Sequence, residues 1–180
     1  AGNPDLIRRH VQLCFDICHY GVSFDAPEAS IQELKTKNIP VGKIQISSAL
    51  RVDLRTQEAD KIAELQKYQE PVYLHQVKAL RKNGSHQEFK DLDEAFAAYQ
   101  PSTYDEWRVH FHVPLFLETY GLLGSTQKEI RETLAIQKAS PFTNHLEIET
   151  YTWGVLPSAY QVPMAESISR EIKTITDLLG

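Results

Sequence analysis

The sequence predicts an α/β protein and, more specifically, the C-terminal half of a (β/α)₈ TIM barrel. Apolar runs at residues 11–18, 41–47 and 107–114 predict buried strands, and a further strand is predicted at residues 146–151. Residues with the apolar spacing of helices lie between and after these runs. Strands that alternate with helices in this way are typical of a parallel sheet with helices packed outside it.

Capping residues mark where the helices begin and end. Asp25 and Pro27 predict the start of the first helix, which we expect to end near Asn38. Ser125 predicts the N-cap of a second helix after the third apolar run. A last helix is predicted over residues 165–179.

One stretch departs from the strand-then-helix order. We predict residues 1–180 to form one unit, the C-terminal part of the barrel, with residues 53–106 as an insertion that carries its own structure. Within the insertion, Asn83 and Gly84 separate two strand-like runs, and Asn-Gly in that position is typical of a β-hairpin.

Charge and composition limit the possible partners. The chain carries 19 Lys and Arg against 24 Asp and Glu, a formal net charge of −5. Because proteins that bind a phosphate backbone carry the opposite balance, we expect no nucleic-acid partner. No apolar run approaches the roughly 20 residues that cross a bilayer, so we expect no membrane partner.

The cysteines indicate the compartment. Cys14 and Cys18 lie in one apolar run, and a disulfide between two such positions of one strand is geometrically disfavoured. Buried, reduced thiols are the simpler interpretation, and reduced thiols favour a cytoplasmic protein.

Polar residues interrupt strands that should read as continuous apolar sequence if both faces were buried. Three pairs do so: Asp16 with His19, His110 with His112, and Glu147 with Glu149. The members of the second and third pairs are two residues apart, which places each pair on one face of its strand. Burying such groups without partners costs several kcal/mol each, roughly, so they need partners.

A metal ion is one partner that all of these groups can share. In a barrel the C-terminal strand ends meet at one rim, where Asp16, His19, His112 and Glu149 would converge. Carboxylate and imidazole ligands suit Zn²⁺, Mn²⁺ and other first-row divalent ions. The alternative for each pair is ordinary: a solvated strand face or a polar residue after a strand. Lys43, which shares a strand face with Gln45 and Ser47, is either an electrophilic catalytic group or a solvated lysine.

Several stretches resemble a known superfamily. Leu13-Cys14-Phe15-Asp16-Ile17-Cys18-His19 is similar to the Asp-x-x-His motif on the sixth strand of the xylose-isomerase-like barrels, which include sugar phosphate isomerases and epimerases and endonuclease IV. Within that superfamily, residues 41–52, 110–116 and 147–153 most resemble the metabolite-traffic proteins of the EboE type. The resemblance covers most of the chain.

The resemblance implies a ligand set and a reaction. It makes Asp16, His19 and Glu149 metal ligands, adds His112 and His110 as further ligands, and makes Glu149 the group that moves a proton beside a carbonyl. Where the isomerases usually carry a metal-binding His, this sequence has Gln45.

Three functions stay open at this point. The first is a metal-dependent isomerase or epimerase acting on a sugar-like or secondary metabolite. The second is a non-catalytic metabolite-binding or traffic protein, and the third, disfavoured by the net charge, is a phosphodiester hydrolase. Because half a barrel exposes two sheet edges, the resemblance also implies a partner, either an N-terminal half or a second copy.

Overall fold

The computed structural model describes residues 4–154 and 156–180, which form two β-sheets flanked by helices. The strands, in chain order, are β1 (Leu13–Asp16), β2 (Val41–Ile46), β3 (Ala49–Asp53), β4 (Val77–Arg81), β5 (His86–Phe89), β6 (Tyr104–His112), β7 (Thr119–Tyr120), β8 (Leu123–Ser125) and β9 (Leu146–Ile148). The α-helices are α1 (Pro4–His10), α2 (Ile17–Val22), α3 (Pro27–Thr36), α4 (Glu58–Leu65), α5 (Leu92–Ala98), α6 (Gln127–Ala139) and α7 (Met164–Leu179). Short 3₁₀ turns lie at Gln66–Tyr68 and Ser158–Tyr160.

The smaller sheet is parallel, with strand order β1-β2-β9. Asp16 lies beside Gln45, and Gln45 lies beside Glu147, so polar residues of all three strands share one face. The other face carries the apolar residues Phe15, Ile44 and Ile46, which pack against helices α3, α6 and α7. One face of this sheet therefore belongs to a core, while the other is polar.

The larger sheet is antiparallel, with strand order β5-β4-β6-β3-β8-β7. Strand β6 lies inside it, and its residues Trp107, Val109 and Phe111 enter a second core that helices α4 and α5 cover. The hairpin predicted at Asn83-Gly84 is confirmed as the β4–β5 turn, where Gly84 has a φ of +83° that favours glycine.

The predicted barrel half is wrong. The runs at residues 11–18, 41–47 and 146–151 do contribute the parallel strands β1, β2 and β9, but the run at residues 107–114 belongs to the antiparallel sheet. The reason lies after β2, because only Ser47 and Ser48 separate β2 from β3. A parallel neighbour needs a crossover of a dozen or more residues, so this short link sends the chain into a different sheet.

The region predicted as an insertion, residues 53–106, supplies α4, α5, β4 and β5 and leads into β6. It is thus continuous with the larger sheet and its core. Among the described residues no helix combines the length and the apolar character needed to span a membrane.

Two local boundaries also differ from the prediction. The run at residues 11–18 is not one strand, because β1 ends at Asp16 and α2 begins at Ile17. The side chain of Asp16 accepts hydrogen bonds from the first turn of α2 and so stabilises the switch from strand to helix. Helix α6 begins after Thr126, one residue later than the N-cap predicted at Ser125.

Candidate metal centre

The two sheets meet at the C-terminal ends of β1 and β6. Helix α2 starts at the end of β1 and packs against β6, which brings Cys18 and His19 beside the end of the long strand. The link Ser47–Ser48 runs along the same junction, where the backbone carbonyl of Ser48 accepts a hydrogen bond from Val113 N at 3.0 Å. Side chains from both sheets therefore face one another here.

Asp16 holds the entrance of α2 in place. Its Oδ1 accepts hydrogen bonds from the backbone N–H of Cys18 at 3.0 Å and from the Ser47 hydroxyl at 2.8 Å. The weaker contact from His19 N is 3.4 Å long. Asp16 is therefore an N-cap residue as well as a predicted ligand, and its Oδ1 is committed to the fold.

His110 and His112 lie on the same face of β6, as the spacing predicts, and point toward each other. Their Nε2 atoms are 3.0 Å apart. The Nδ1 atom of His112 lies 3.3 Å from the backbone carbonyl oxygen of Glu149. Because a carbonyl oxygen only accepts, this Nδ1 carries the proton, and Nε2 of His112 presents its lone pair to His110.

Cys18 completes a three-residue cluster. Its Sγ and one ring nitrogen from each of His110 and His112 all lie within 4.8 Å of one another. Cys18 and His112 are buried, and His110 is partly exposed. Tetrahedral zinc at about 2.0–2.1 Å from two nitrogens separates them by about 3.3 Å, close to the observed separation of the imidazoles. This cluster can hold a metal ion.

Two carboxylates lie next to the cluster. Gln45 Nε2 donates to Asp16 Oδ2 at 3.1 Å and also to Glu149 Oε2, so one amide joins two acidic side chains of neighbouring strands. His19 Nε2 lies 3.9 Å from Asp16 Oδ2, and the His19 ring packs edge-on against His110 with centroids 4.4 Å apart. Acidic and imidazole groups thus form a border around the three candidate ligands.

Burial sets the protonation states of the cluster. Burial, reinforced by the neighbouring imidazoles of His112 and His19, lowers the pKa of His110 to about 4. Burial also lowers the pKa of His112, against the opposing effect of the Glu149 and Asp16 carboxylates. Both rings are therefore neutral at pH 7, which is the form of imidazole that binds metals. Burial raises the pKa of the Cys18 thiol well above its usual value, and the nearby Asp16 and Glu149 carboxylates raise it further.

An aromatic side chain covers one side of the cluster. Tyr151 follows β9 and packs its ring on His112, with centroids 4.5 Å apart. Tyr73, from the segment before β4, contacts Tyr151 edge-on at 5.1 Å. The two tyrosines separate His112 from solvent on this side.

The structure brings most of the predicted site residues together. Asp16, His19, His110, His112 and Glu149 all lie at the junction, although only His110 and His112 belong to the compact three-residue cluster. Lys43 lies apart, on the polar face of the parallel sheet, where its Nζ pairs with Glu147.

Cys18 is the member of the three-residue cluster that the sequence did not predict as a ligand. It was interpreted as a buried, reduced thiol, and it is indeed free and buried, whereas Cys14 is free but exposed. The sequence did contain a signal for this role. Cys14, Asp16 and Cys18 alternate along the chain, so in a continuous strand Cys18 would lie on the same face as the predicted ligand Asp16. The start of α2 replaces that alternation but keeps Cys18 on the side of β6.

The fold and the site define a mixed α/β protein with a largely buried Cys–His–His cluster at the junction of a parallel and an antiparallel sheet. Comparisons with protein-family models, with curated proteins and with solved structures give no match.

Proposed function

We propose that the protein is a zinc-dependent enzyme that acts on a small polar metabolite, with Cys18, His110 and His112 as the zinc ligands. The observation that carries the proposal is the three-residue ligand set. Structural zinc sites close with four protein ligands, whereas catalytic sites use three and leave one position for substrate or water. A thiol together with two imidazoles also favours zinc over Mn²⁺, which prefers oxygen ligands.

The reaction we favour is proton transfer next to a carbonyl, as in an isomerase or epimerase. A metal at the cluster would supply polarisation of a substrate oxygen. Glu149 supports this reaction because its carboxylate lies beside the cluster and can take and return a proton. Gln45 keeps Glu149 and Asp16 oriented, and Tyr151 limits access of water from one side.

One observation favours a second function, binding of a metabolite without turnover. The Gln45 amide donates to both carboxylates and so occupies the groups that would move a proton. In this case the zinc cluster would bind and orient a metabolite for a partner protein. The free thiols Cys14 and Cys18 support a cytoplasmic location for either function, since a reducing compartment preserves a thiol ligand.

Zinc binding tests the proposal directly. The purified protein is stripped with a chelator, dialysed against zinc and measured for metal content, and we expect one zinc per chain. Cys18→Ser and His110→Ala should each weaken zinc affinity by more than about 100-fold, since removal of even an outer-shell partner costs 10- to 100-fold. Co²⁺ substitution offers a second readout, because a thiolate ligand gives a charge-transfer absorption band that Cys18→Ser removes.

His145→Ala is the matched control, because His145 is an exposed histidine outside the cluster. We expect it to bind zinc like the unchanged protein. Substoichiometric zinc in the unchanged protein, or equal affinity in Cys18→Ser and His145→Ala, would contradict the proposed ligand set. Turnover separates the two functions: Glu149→Gln should abolish an isomerase activity while leaving the zinc content unchanged.

A further inference from the structure

A groove between β9 and α7 lies on the opposite side of the parallel sheet from its polar face. Its volume is about 640 Å³, within the range of ligand pockets in proteins. Leu146 and Ile148 of β9 form one wall, and Ile168 and Ile172 of α7 form the other. Tyr151 and Trp153 also line it. The groove is therefore mostly apolar, with two aromatic side chains.

The apolar groups of this groove are incompletely covered. Met164, Ile168 and Ile172 are spaced by four residues along α7, and all three are exposed. Leu146 at the other wall is exposed as well. Strand β9 is the last strand of its sheet, so among the described residues nothing pairs with its outer edge. Exposed apolar patches of this kind commonly mark binding sites.

One buried acid lies in the wall of the groove. Glu171 is only 2% exposed and lines the groove together with Thr150. Its Oε1 accepts hydrogen bonds from Leu115 N at 3.0 Å and from the Thr150 hydroxyl at 2.8 Å. No hydrogen bond from the described residues reaches Oε2, so this oxygen is available to a ligand in the groove. Burial raises the pKa of Glu171, against the effect of these two donors.

From these contacts we infer that the groove binds a small organic amine whose apolar body packs on Ile168, Ile172 and Trp153 and whose ammonium group pairs with Glu171. Charge complementarity selects the amine, because Glu171 is the charged residue that lines an otherwise apolar and aromatic cavity. The two aromatic rings favour a cation over an anion as well. A buried acid without a counter-charge is costly, and the ammonium group supplies that counter-charge.

The site does not depend on the metal. None of Cys18, His110 and His112 lines the groove, although Tyr151 lines it and also packs on His112. Amine binding should therefore be the same in the chelator-stripped protein and in the zinc-loaded protein, so failure of this inference is distinguishable from failure of the proposed zinc site.

Three probes of one shape and different charge test the inference: tryptamine, its neutral alcohol tryptophol, and indole-3-acetate. Binding is measured by isothermal titration calorimetry with the full chain. We expect tryptamine to bind at least about tenfold more tightly than indole-3-acetate, with tryptophol between them. Glu171→Gln keeps an acceptor for Leu115 N and Thr150, and should remove the preference for the amine.

Two further variants separate the groove from the surface in general. Ile172→Ser should weaken the binding of all three probes, whereas Leu122→Ser, which changes an exposed apolar residue elsewhere, should leave it unchanged. Circular dichroism confirms that each variant is folded. Equal affinity for tryptamine and indole-3-acetate, an undiminished preference in Glu171→Gln, or no binding of tryptamine at about 5 mM would overturn the inference.

Discussion

Two polar clusters contact helix α2, and they balance their charges differently. In the first, which we call the arginine cluster, Glu106 pairs with Arg51 at 2.8 Å and with Arg108 at 2.7 Å, and Arg108 also pairs with Glu129 at 3.0 Å. Two acids thus face two permanent cations, and the formal charges cancel within the cluster.

The candidate metal centre contains two acids as well, but among the described residues no Lys or Arg forms an ion pair with either of them. Asp16 and Glu149 are held by the Gln45 amide, and Asp16 also by a hydroxyl and a backbone N–H, while Cys18, His110 and His112 lie beside them. A cluster that neutralises itself needs nothing further to be stable. A cluster whose acids have no Lys or Arg partner is suited to bind a cation, and this difference supports a structural role for the arginine cluster and a metal for the candidate metal centre.

The largest effect is expected in the arginine cluster. Glu106→Ala leaves Arg51 and Arg108 without their shared partner, and we expect a loss of about 3 kcal/mol in the free energy of unfolding. Urea denaturation measures it. Glu166→Ala breaks an exposed ion pair with Arg170 and should cost no more than about 0.5 kcal/mol. Equal losses in the two variants would contradict the role given to the arginine cluster.

Zinc should stabilise the metal centre by a comparable amount. At a free zinc concentration 100 times its Kd, the free energy of unfolding should rise by about 2.7 kcal/mol, since the ion binds the folded chain. The shift should be absent in His112→Ala and absent when Mg²⁺ replaces zinc, because Mg²⁺ avoids thiol and imidazole ligands. A shift that survives in His112→Ala would place the ion elsewhere.

Two substitutions of Asp16 distinguish its role as the N-cap of α2 from its role beside the metal cluster, and we expect smaller effects from them. Asp16→Asn retains an oxygen that can accept from Cys18 N, so we expect little loss of stability, whereas Asp16→Ala removes the cap of α2 and should cost about 1 kcal/mol. Both variants remove a carboxylate beside the cluster and should weaken zinc binding about tenfold. If Asp16→Asn and Asp16→Ala lower the free energy of unfolding equally, the N-cap hydrogen bond to Cys18 N does not account for the stability that Asp16 provides.

The pH dependence of stability gives the finest comparison. Burial raises the pKa of Glu106, but hydrogen bonds from Arg51 and Arg108 outweigh burial and lower it below 4.5. A carboxyl with a lowered folded pKa adds stability above its unfolded value, and that stability is lost as the pH falls through the folded value. The stability difference between the unchanged protein and Glu106→Gln should therefore stay constant from pH 7 to pH 5 and narrow below about pH 4.5. Narrowing already above pH 5 would contradict this.

Short-range patterns in the sequence predicted the local structure well. The alternation around Ile44 and Ile46 predicted β2, the Asn83-Gly84 pair predicted a hairpin, and the spacing of His110 and His112 placed both rings on one face. These features depend on neighbours within a few residues, which a sequence displays directly.

Contacts between residues that are distant in sequence were predicted less well. The spacing of strands indicated parallel pairing for β6, but nothing local distinguishes a strand of a parallel sheet from one inside an antiparallel sheet when both are buried. Cys18 was missed for a related reason: its role depends on two histidines more than 90 residues away, as the cluster shows. The two-residue link Ser47–Ser48 was the observation that could have excluded the barrel.

The sequence separation of paired strands indicates the order in which the chain can assemble. Strand β4 pairs with β5 and β6, its near neighbours in sequence, and β3 pairs with β6 more than 50 residues later, whereas β9 joins β2 only after about 100 intervening residues. Contacts that close long loops form late, so the antiparallel sheet should fold before β9 docks. His112 receives its carbonyl partner from Glu149 just after β9, and the groove receives its wall from β9. Both proposed sites therefore become competent in the last folding step.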